Sequence, residues 1–448
     1  MTDVPNPPTR GEALRFWAQL GFLSFGGPAG QIALMHRELV ERRRWVGEGR
    51  FLHALNYCML LPGPEAQQLA TYLGWLMHGR AMGIAAGLLF ILPAWVLMAL
   101  LGWLYMAQGQ QPMVQAVLAG LKPAVVAIVA LAAWRLGRRT LTHPLLVALA
   151  GGALAALALG LPFPAVVAVA ALVGWLGPRW VPAAFAPAAG AHVARGAHGA
   201  PSSSAAPGSG PRAWLDDASP LPAHAQAGAA HSALVLALGL LLGLLPWLAL
   251  VAWQGAAGLL PTLAGFFTQA ALLTFGGAYA VLPFVAQGAV QQFGWITAGQ
   301  MMDGLALGET TPGPLIIVLV FIGFLAGWQH GGGDPLALGL LAAGVVGYFT
   351  FLPSFVFILG GAPYVERTRH LPAVAAPLRA ISAAVVGVIL HLALFLAAHS
   401  LWPQGRVDVW ACGLALAAAL ALGRWQRSVV EVIVAAAVLG ALRGVWTG

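Results

Sequence analysis

The chain has 448 residues, of which 60% are hydrophobic and 8% charged, with 57 Gly and 31 Pro, a balance well outside that of soluble domains. With a mean hydropathy of +0.82 and several apolar stretches of the roughly 20 residues that cover a bilayer core, it excludes a water-soluble fold and predicts an all-α polytopic membrane protein whose surroundings are the lipid bilayer. The formal charge of +8 does not indicate nucleic acid, because the basic residues lie in short loops between apolar segments and not along one amphipathic face.

Met1 to Thr9 is polar and Pro-rich with no cleavable apolar region behind it, so the first apolar segment is expected to act as the insertion signal. Gly11 to Met35 is apolar but interrupted at Gly26-Gly27-Pro28, which removes a donor and adds backbone freedom in mid-segment. A broken helix or re-entrant hairpin is expected. The loop His36 to Arg50 carries Arg37, Arg42, Arg43, Arg44 and Arg50 against Glu38, Glu41 and Glu48, and its Arg excess places it in the cytoplasm. Phe51 to His78 is broken again at Pro62-Gly63-Pro64, leaving pieces too short to span comfortably. Ala81 to Ala107, Met113 to Trp134, Pro144 to Gly160 and Pro162 to Gly177 are read as full crossings.

Residues 1–177 thus form a first repeat, and 178–230, rich in Ala, Pro, Gly, Ser and His, read as a disordered cytoplasmic linker. The histidines in it and at its end, His192, His198, His224 and His231, are too irregularly spaced to predict a metal site. Residues 231–260 hold one unpaired transmembrane helix, and 261–448 a second repeat. In it Thr274-Phe275-Gly276-Gly277 and Thr311-Pro312-Gly313-Pro314 follow Ser24-Phe25-Gly26-Gly27 and Leu61-Pro62-Gly63-Pro64 at one displacement of 250 residues. Phe16, Gln19 and Trp45 match Phe266, Gln269 and Trp295 at that displacement. Beyond an insertion around Gly331 to Leu340 it becomes 260, pairing Pro93 with Pro353 and Ala124 with Ala384.

Positive charge switches sides between the repeats. The loop Gln287 to Gln300 has no Lys or Arg where the first repeat has its Arg-rich loop, while uncharged Gln108 to Pro112 is answered by Arg367 and Arg369. Two homologous inverted-topology repeats with broken or re-entrant helices are the expected fold. With Ser232 to Trp253 as the odd crossing, all but Arg406, Arg443 and the intramembrane Lys122 of the 22 Lys and Arg residues face the cytoplasm.

Buried helix starts leave N–H groups that need a ligand, water or protein acceptor, and their partial positive charge suits an anion. The expected substrate-binding set is Ser24, Phe25, Gly26, Gly27, Pro62, Gly63, Pro64, Thr274, Phe275, Gly276, Gly277, Thr311, Pro312, Gly313 and Pro314. The competing reading is that these residues only permit kinks and close helix packing. Lys122, the only lysine, neutralises a bound anion or pairs with a carboxylate, with Arg379 as the other nearby cation. Glu65, Asp303 and Glu309 are candidates for proton coupling, with helix capping as the alternative, and His53 and Asn56 share a short helix with the first break. Cys58 and Cys412 are far apart and read as core thiols. No catalytic, cofactor or metal motif is found, and a nucleotide-driven pump is excluded for want of a Walker sequence, so gradients or membrane potential must supply the drive.

With its repeated Phe-Gly-Gly and Pro-Gly-Pro signatures in two apolar halves, the sequence resembles the long-chain, two-domain members of the chromate ion transporter family over essentially its whole length outside 178–230. The resemblance implies export of chromate across the bacterial inner membrane and resistance to it. The residues alone reach an anion transporter. A carrier of sulfate or a related oxyanion is the rival within the class, and a membrane-embedded enzyme on the duplicated scaffold the rival outside it. A homodimer is compatible with the sequence.

Overall fold

The computed structural model describes residues 5–25, 27–185, 213–216, 219–220, 222–226, 228–275, 278–365 and 372–447. The expectations placed on Gly26, Gly276, Gly277, His192, His198, Arg367 and Arg369 lie outside these residues. The first half comprises α1 (Arg10–Leu23), α2 (Gly27–His36) continued by a π-helical turn Arg37–Arg42, α3 (Glu48–Leu60), α4 (Glu65–His78), α5 (Arg80–Gln108), α6 (Pro112–Thr140), α7 (Pro144–Ala158) and α8 (Phe163–Leu176). After α9 (Ala229–Gln254) the order repeats. It runs α10 (Leu259–Leu273), α11 (Leu282–Ala286) continued by a π-helical turn Gln287–Gln292, α12 (Ala298–Thr310), α13 (Val318–His330), α14 (Pro335–Val365), α15 (Pro372–Leu401), α16 (Val409–Gly423) and α17 (Val429–Thr447). Helices α1 to α8 therefore answer to α10 to α17 in order, including the π-helical turns.

Local chemistry sets the ends of these helices. Thr9 and Glu12 form a capping box at the start of α1, and Thr297 and Gln300 do so at α12. Proline at the first helical position opens α6, α7 and α14. Helices of about 29 residues at 1.5 Å per residue reach ~43 Å, and among the described residues six helices are long and apolar enough to cross a membrane: α5, α6, α9, α14, α15 and α17. The segments Pro144 to Gly160 and Pro162 to Gly177, expected as full crossings, are shorter than that. Gly160, at φ +84°, and Pro162 end α7 and delay α8, leaving 15 and 14 residues, each ~22 Å against a core of ~30 Å.

The two halves pack on one another reciprocally. Helix α15 lies against α7 and α8, as α6 lies against α16 and α17, and α6 and α15 meet in the middle. Likewise α4 packs on α14 and α5 on α13. Small residues allow the closest approach: a Cβ on Gly120 of α6 would lie 2.3 Å from the Ala436 carbonyl of α17. Helix α9 rests on α14 and α10 and leaves a row of leucines exposed, including Leu234, Leu238, Leu241 and Leu245, as a lipid-facing helix does.

Each pair of broken helices enters and leaves at one end. In the first half His78 Nε2 lies 2.8 Å from the Pro8 carbonyl, and Phe16 stacks edge-on to Trp45 at 5.7 Å. In the second half His330 Nε2 lies 3.2 Å from the Trp295 carbonyl, and Trp295 packs on Phe266. The first pair ends where α5 begins, at Arg80. The second meets the far end of α5, where Tyr105 donates to Asp303 at 2.9 Å and Gln329 Nε2 lies 3.9 Å from Met106 Sδ.

The described part of the linker docks at the first of these ends. Leu215 forms a one-residue parallel bridge with Val46, Gly47 N–H donates to the Leu215 carbonyl at 2.8 Å, and His224 Nε2 lies 2.9 Å from the Trp75 carbonyl. Its burial comes from a few apolar side chains, Ala213, Leu215 and Ala225, that composition averaged over the whole stretch conceals.

In the loop at the same end, His36 bonds Glu48 at 2.7 Å and pairs with Glu41 at 3.2 Å. The Glu48 hydrogen bond raises the imidazole above its ordinary 6.5. A raised folded value means that this stabilisation is fully present below about pH 6.5 and is lost as pH climbs through the folded value. Hydrogen exchange at residues 37–47, corrected for intrinsic rate, is therefore expected to quicken between pH 6 and pH 8, and Glu48→Gln to weaken that dependence.

Candidate functional site

The four breaks meet. Helices α1 and α10 end at Ser24 and Thr274, whose hydroxyls turn back to the carbonyls of Leu20 and Ala270 at 2.5 and 2.6 Å. Their own carbonyls are left facing forward. Gly313 N–H donates to the Ser24 carbonyl and Gly63 N–H to the Thr274 carbonyl, each at 2.8 Å. Each Pro-Gly-Pro turn is thus held by the broken helix of the opposite half, and the exchange is the same in both directions.

Glycine is required at both turns. Gly63 has φ +124° and Gly313 φ +100°, where L side chains are strained. A Cβ would also lie 2.4 Å from Ser354 Oγ at Gly63 and 2.5 Å from Ala94 Cβ at Gly313. Ala94 and Ser354 are themselves repeat mates, each following the proline inside α5 or α14. Gly27, at φ +70°, has open space around its missing Cβ. One asymmetric side chain straddles the crossing: Gln31 Nε2 donates to the Gly313 carbonyl at 2.5 Å and to the Ser24 carbonyl at 3.2 Å.

The remaining expected residues fall around this crossing. Pro62 accepts from Gln68 Nε2 at 2.7 Å, Pro64 precedes the first residue of α4, and Thr311 donates to the Gly308 carbonyl at 3.0 Å. Pro312 and Pro314 are buried, whereas Phe25 is exposed and Phe275 half-buried. The N–H groups of Gly63 and Gly313 already have protein acceptors. The first turns of α2 and α4 carry further N–H groups without an intrahelical partner.

The carboxylates divide. Glu309, one turn before Thr311-Pro312-Gly313, accepts from the Tyr279 hydroxyl at 2.5 Å. Glu65 opens α4, is half-buried, and has no hydrogen-bond partner among the described residues. Asp303 is 2% exposed and lies away from the crossing, at the far end of α5, with Lys122 Nζ at 3.7 Å and the Tyr105 hydroxyl at 2.9 Å. Of the two roles open to Lys122, it occupies the carboxylate pairing. Arg379 donates to Thr142 Oγ1 at 2.7 Å beyond the end of α6, Asn56 is exposed, and His53 is half-buried on α3. Among the described residues no group of three His, Cys, Asp or Glu side chains is placed to hold a metal ion.

Tyr105, Tyr279, Gln31, Thr350 and Ser354 were not anticipated. The signal available in the sequence was a polar residue whose repeat mate is apolar: Tyr279 against Ala29, Thr350 against Phe90, Ser354 against Ala94.

Two halves of equivalent helices, interlocked at paired breaks and carrying carboxylates within an apolar bundle, define a multi-pass membrane protein of the transporter class. The family model described as chromate transporter matches residues 11–175 and 261–441, and the chain belongs to that family. It is 32% identical over 449 residues to a chromate transport protein of Pseudomonas aeruginosa, covering 98% of this chain and 93% of the relative. Against the chromate transport protein of Cupriavidus metallidurans it is 30% identical over 440 residues, 96% and 91% of the two chains. A probable chromate transport protein of Synechococcus elongatus is 29% identical over 390 residues, 86% and 84% of the two chains. No solved structure matches the chain.

Proposed function

We propose that this chain exports chromate across the bacterial inner membrane and so confers resistance to it. The observation that carries the reading is the reciprocal exchange between Ser24 and Gly313 and between Thr274 and Gly63, which puts both breaks of both repeats at one place inside the bundle. The names of the relatives supply the substrate. An inverted arrangement of the repeats is supported by two independent facts. The hairpin ends lie at opposite ends of the 29-residue α5, and the Arg-rich loop of the first repeat answers to an uncharged one in the second.

Membrane potential suffices to drive export. An anion leaving a negative interior gains ~2.3 kcal/mol per charge per 100 mV, so ~4.6 as the dianion and ~2.3 as its singly protonated form. Proton exchange through Glu65 or Glu309 adds to this drive. Glu309→Gln and Glu65→Gln are each expected to lower chromate flux and flatten its pH dependence, and unchanged flux and pH profile in either variant remove that residue from the coupling route.

Radiolabelled chromate and sulfate offered to inside-out vesicles test the substrate. Accumulation of chromate that rises with an imposed potential is the expected result. Preferential accumulation of sulfate makes the chain a sulfate-type carrier, and flux of neither anion removes the transport reading.

A further inference from the structure

Helices α4 and α14, which pack on one another, carry four buried side-chain oxygens without a hydrogen-bond partner among the described residues: Gln67 Oε1 and Gln68 Oε1 on α4, Thr350 Oγ1 and Ser354 Oγ on α14. All four residues are at most 1% exposed. Groups this deep are normally paired, because an unpaired one forfeits its hydration with no return. Elsewhere in the bundle hydroxyls solve the problem by donating to the carbonyl one turn back, as Ser24, Thr71, Thr268 and Thr274 do. Thr350 and Ser354 do not, and they stand one turn apart on the same face of α14.

The two amides have fixed orientations. Gln68 Nε2 donates to the Pro62 carbonyl at 2.7 Å. Gln67 Nε2 donates to Thr71 Oγ1 at 3.0 Å, and the Thr71 proton is committed to the Gln67 backbone carbonyl at 3.0 Å. Both Oε1 atoms are therefore acceptors by network. This polar seam opens onto the Pro-Gly-Pro turn, since Ser354 Oγ and Gln68 Nε2 flank the missing Cβ of Gly63. Glu65, one turn earlier, is the first residue of α4.

The repeat-related crevice is chemically different. Gln67, Gln68 and Thr71 answer to Ile317, Val318 and Phe321, while Thr350 and Ser354 answer to Phe90 and Ala94. All five are fully buried apolar side chains. One crevice is a packed core, and the other keeps hydroxyls and amide oxygens without a hydrogen-bond partner among the described residues.

We infer that the seam between α4 and α14 is the side-chain part of the oxyanion site, and that it takes a tetrahedral oxyanion in its singly protonated form. This rests on the transport reading above. The Thr350 and Ser354 hydroxyls, with the first-turn N–H groups of α4, donate to the oxygens of the anion. One of the two acceptors, Gln67 Oε1 or Gln68 Oε1, takes the single proton of its hydroxyl. Chromate carries a proton in part near neutral pH and sulfate does not, so sulfate would leave two buried acceptors facing bare oxygens. Discrimination against a ligand lacking the required donor is the kind a polar site achieves best.

The test uses full-length protein in proteoliposomes, with radiolabelled chromate and sulfate as probes. Thr350→Val and Ser354→Ala are each expected to raise the chromate KM about tenfold or more, as loss of one hydrogen bond to a charged ligand does. Thr350→Ser keeps the hydroxyl and should keep the KM. Gln67→Met, of nearly equal volume, should lower the preference for chromate over sulfate, a ratio that a merely structural defect does not move. Phe90→Leu, in the apolar crevice, should leave KM and preference alone. Wild-type values in Thr350→Val, Ser354→Ala and Gln67→Met, or an equal KM effect from Phe90→Leu, overturn the seam while transport stands. A wild type that moves neither anion overturns the transport reading and the seam together.

Discussion

Gly313→Val and Gly63→Val are each expected to abolish chromate flux into inside-out vesicles. Three costs coincide at each position. A β-branched residue in this part of φ/ψ space costs ~1–3 kcal/mol. Its Cβ must displace Ala94 or Ser354, at 2.5 and 2.4 Å, and forced overpacking of a core costs ~1–3 kcal/mol more. Whatever shift relieves those contacts also moves the N–H off the Ser24 or Thr274 carbonyl, breaking a hydrogen bond that has no water to replace it. The sum is comparable with the whole stability of a domain at ~5–15 kcal/mol, so reduced membrane levels are expected as well. Gly27→Asn is the informative contrast. Its φ of +70° is one that Asn adopts, nothing lies within 4 Å of the added Cβ, and flux is expected to persist.

The second large effect is at Lys122 and Asp303. Asp303 is nearly sealed from solvent, and its partners are Lys122 Nζ at 3.7 Å and the Tyr105 hydroxyl at 2.9 Å. Removing one member of a buried ion pair strands the other and costs ~3–5 kcal/mol, whereas removing both often costs little. Lys122 keeps 27% of its side chain exposed, which places the expected loss at the lower end of that range. Lys122→Met and Asp303→Asn should therefore each lower thermal stability in detergent and vesicle flux, and the double variant should recover a substantial part of both. A double variant no better than either single one would assign Lys122 to the anion and not to Asp303.

The positions of the breaks were legible because Gly-Gly and Pro-Gly-Pro act locally on the backbone and recur at one displacement. Their approach to one another was an expectation of inverted copies, drawn from the repetition together with the reversal of charge. How their N–H groups are used was not: at Gly63 and Gly313 the acceptor is a carbonyl from the opposite half, and no local pattern announces a contact between residues some 200 positions or more apart. The same holds for Lys122, whose partner lies on α12, and for Thr350 and Ser354, which stand singly in apolar sequence. Composition misjudged the reach of α7 and α8, because an apolar stretch bounded by turns reads as a full crossing, while helices of 15 and 14 residues fall short of a ~30 Å core. It also averaged away Leu215 and Ala225, the side chains by which the linker docks.

The central claim is that the two repeats enter the membrane from opposite faces and interlock at its middle. Arg42 and Gln292 are repeat mates, each at the exposed end of its π-helical turn. In a background carrying Cys58→Ala and Cys412→Ala, Arg42→Cys and Gln292→Cys are to be labelled with a membrane-impermeant maleimide in intact cells and in inside-out vesicles. Gln292→Cys should label in cells and Arg42→Cys only in the vesicles. Labelling of both from the same side would contradict the inverted arrangement and the site built upon it.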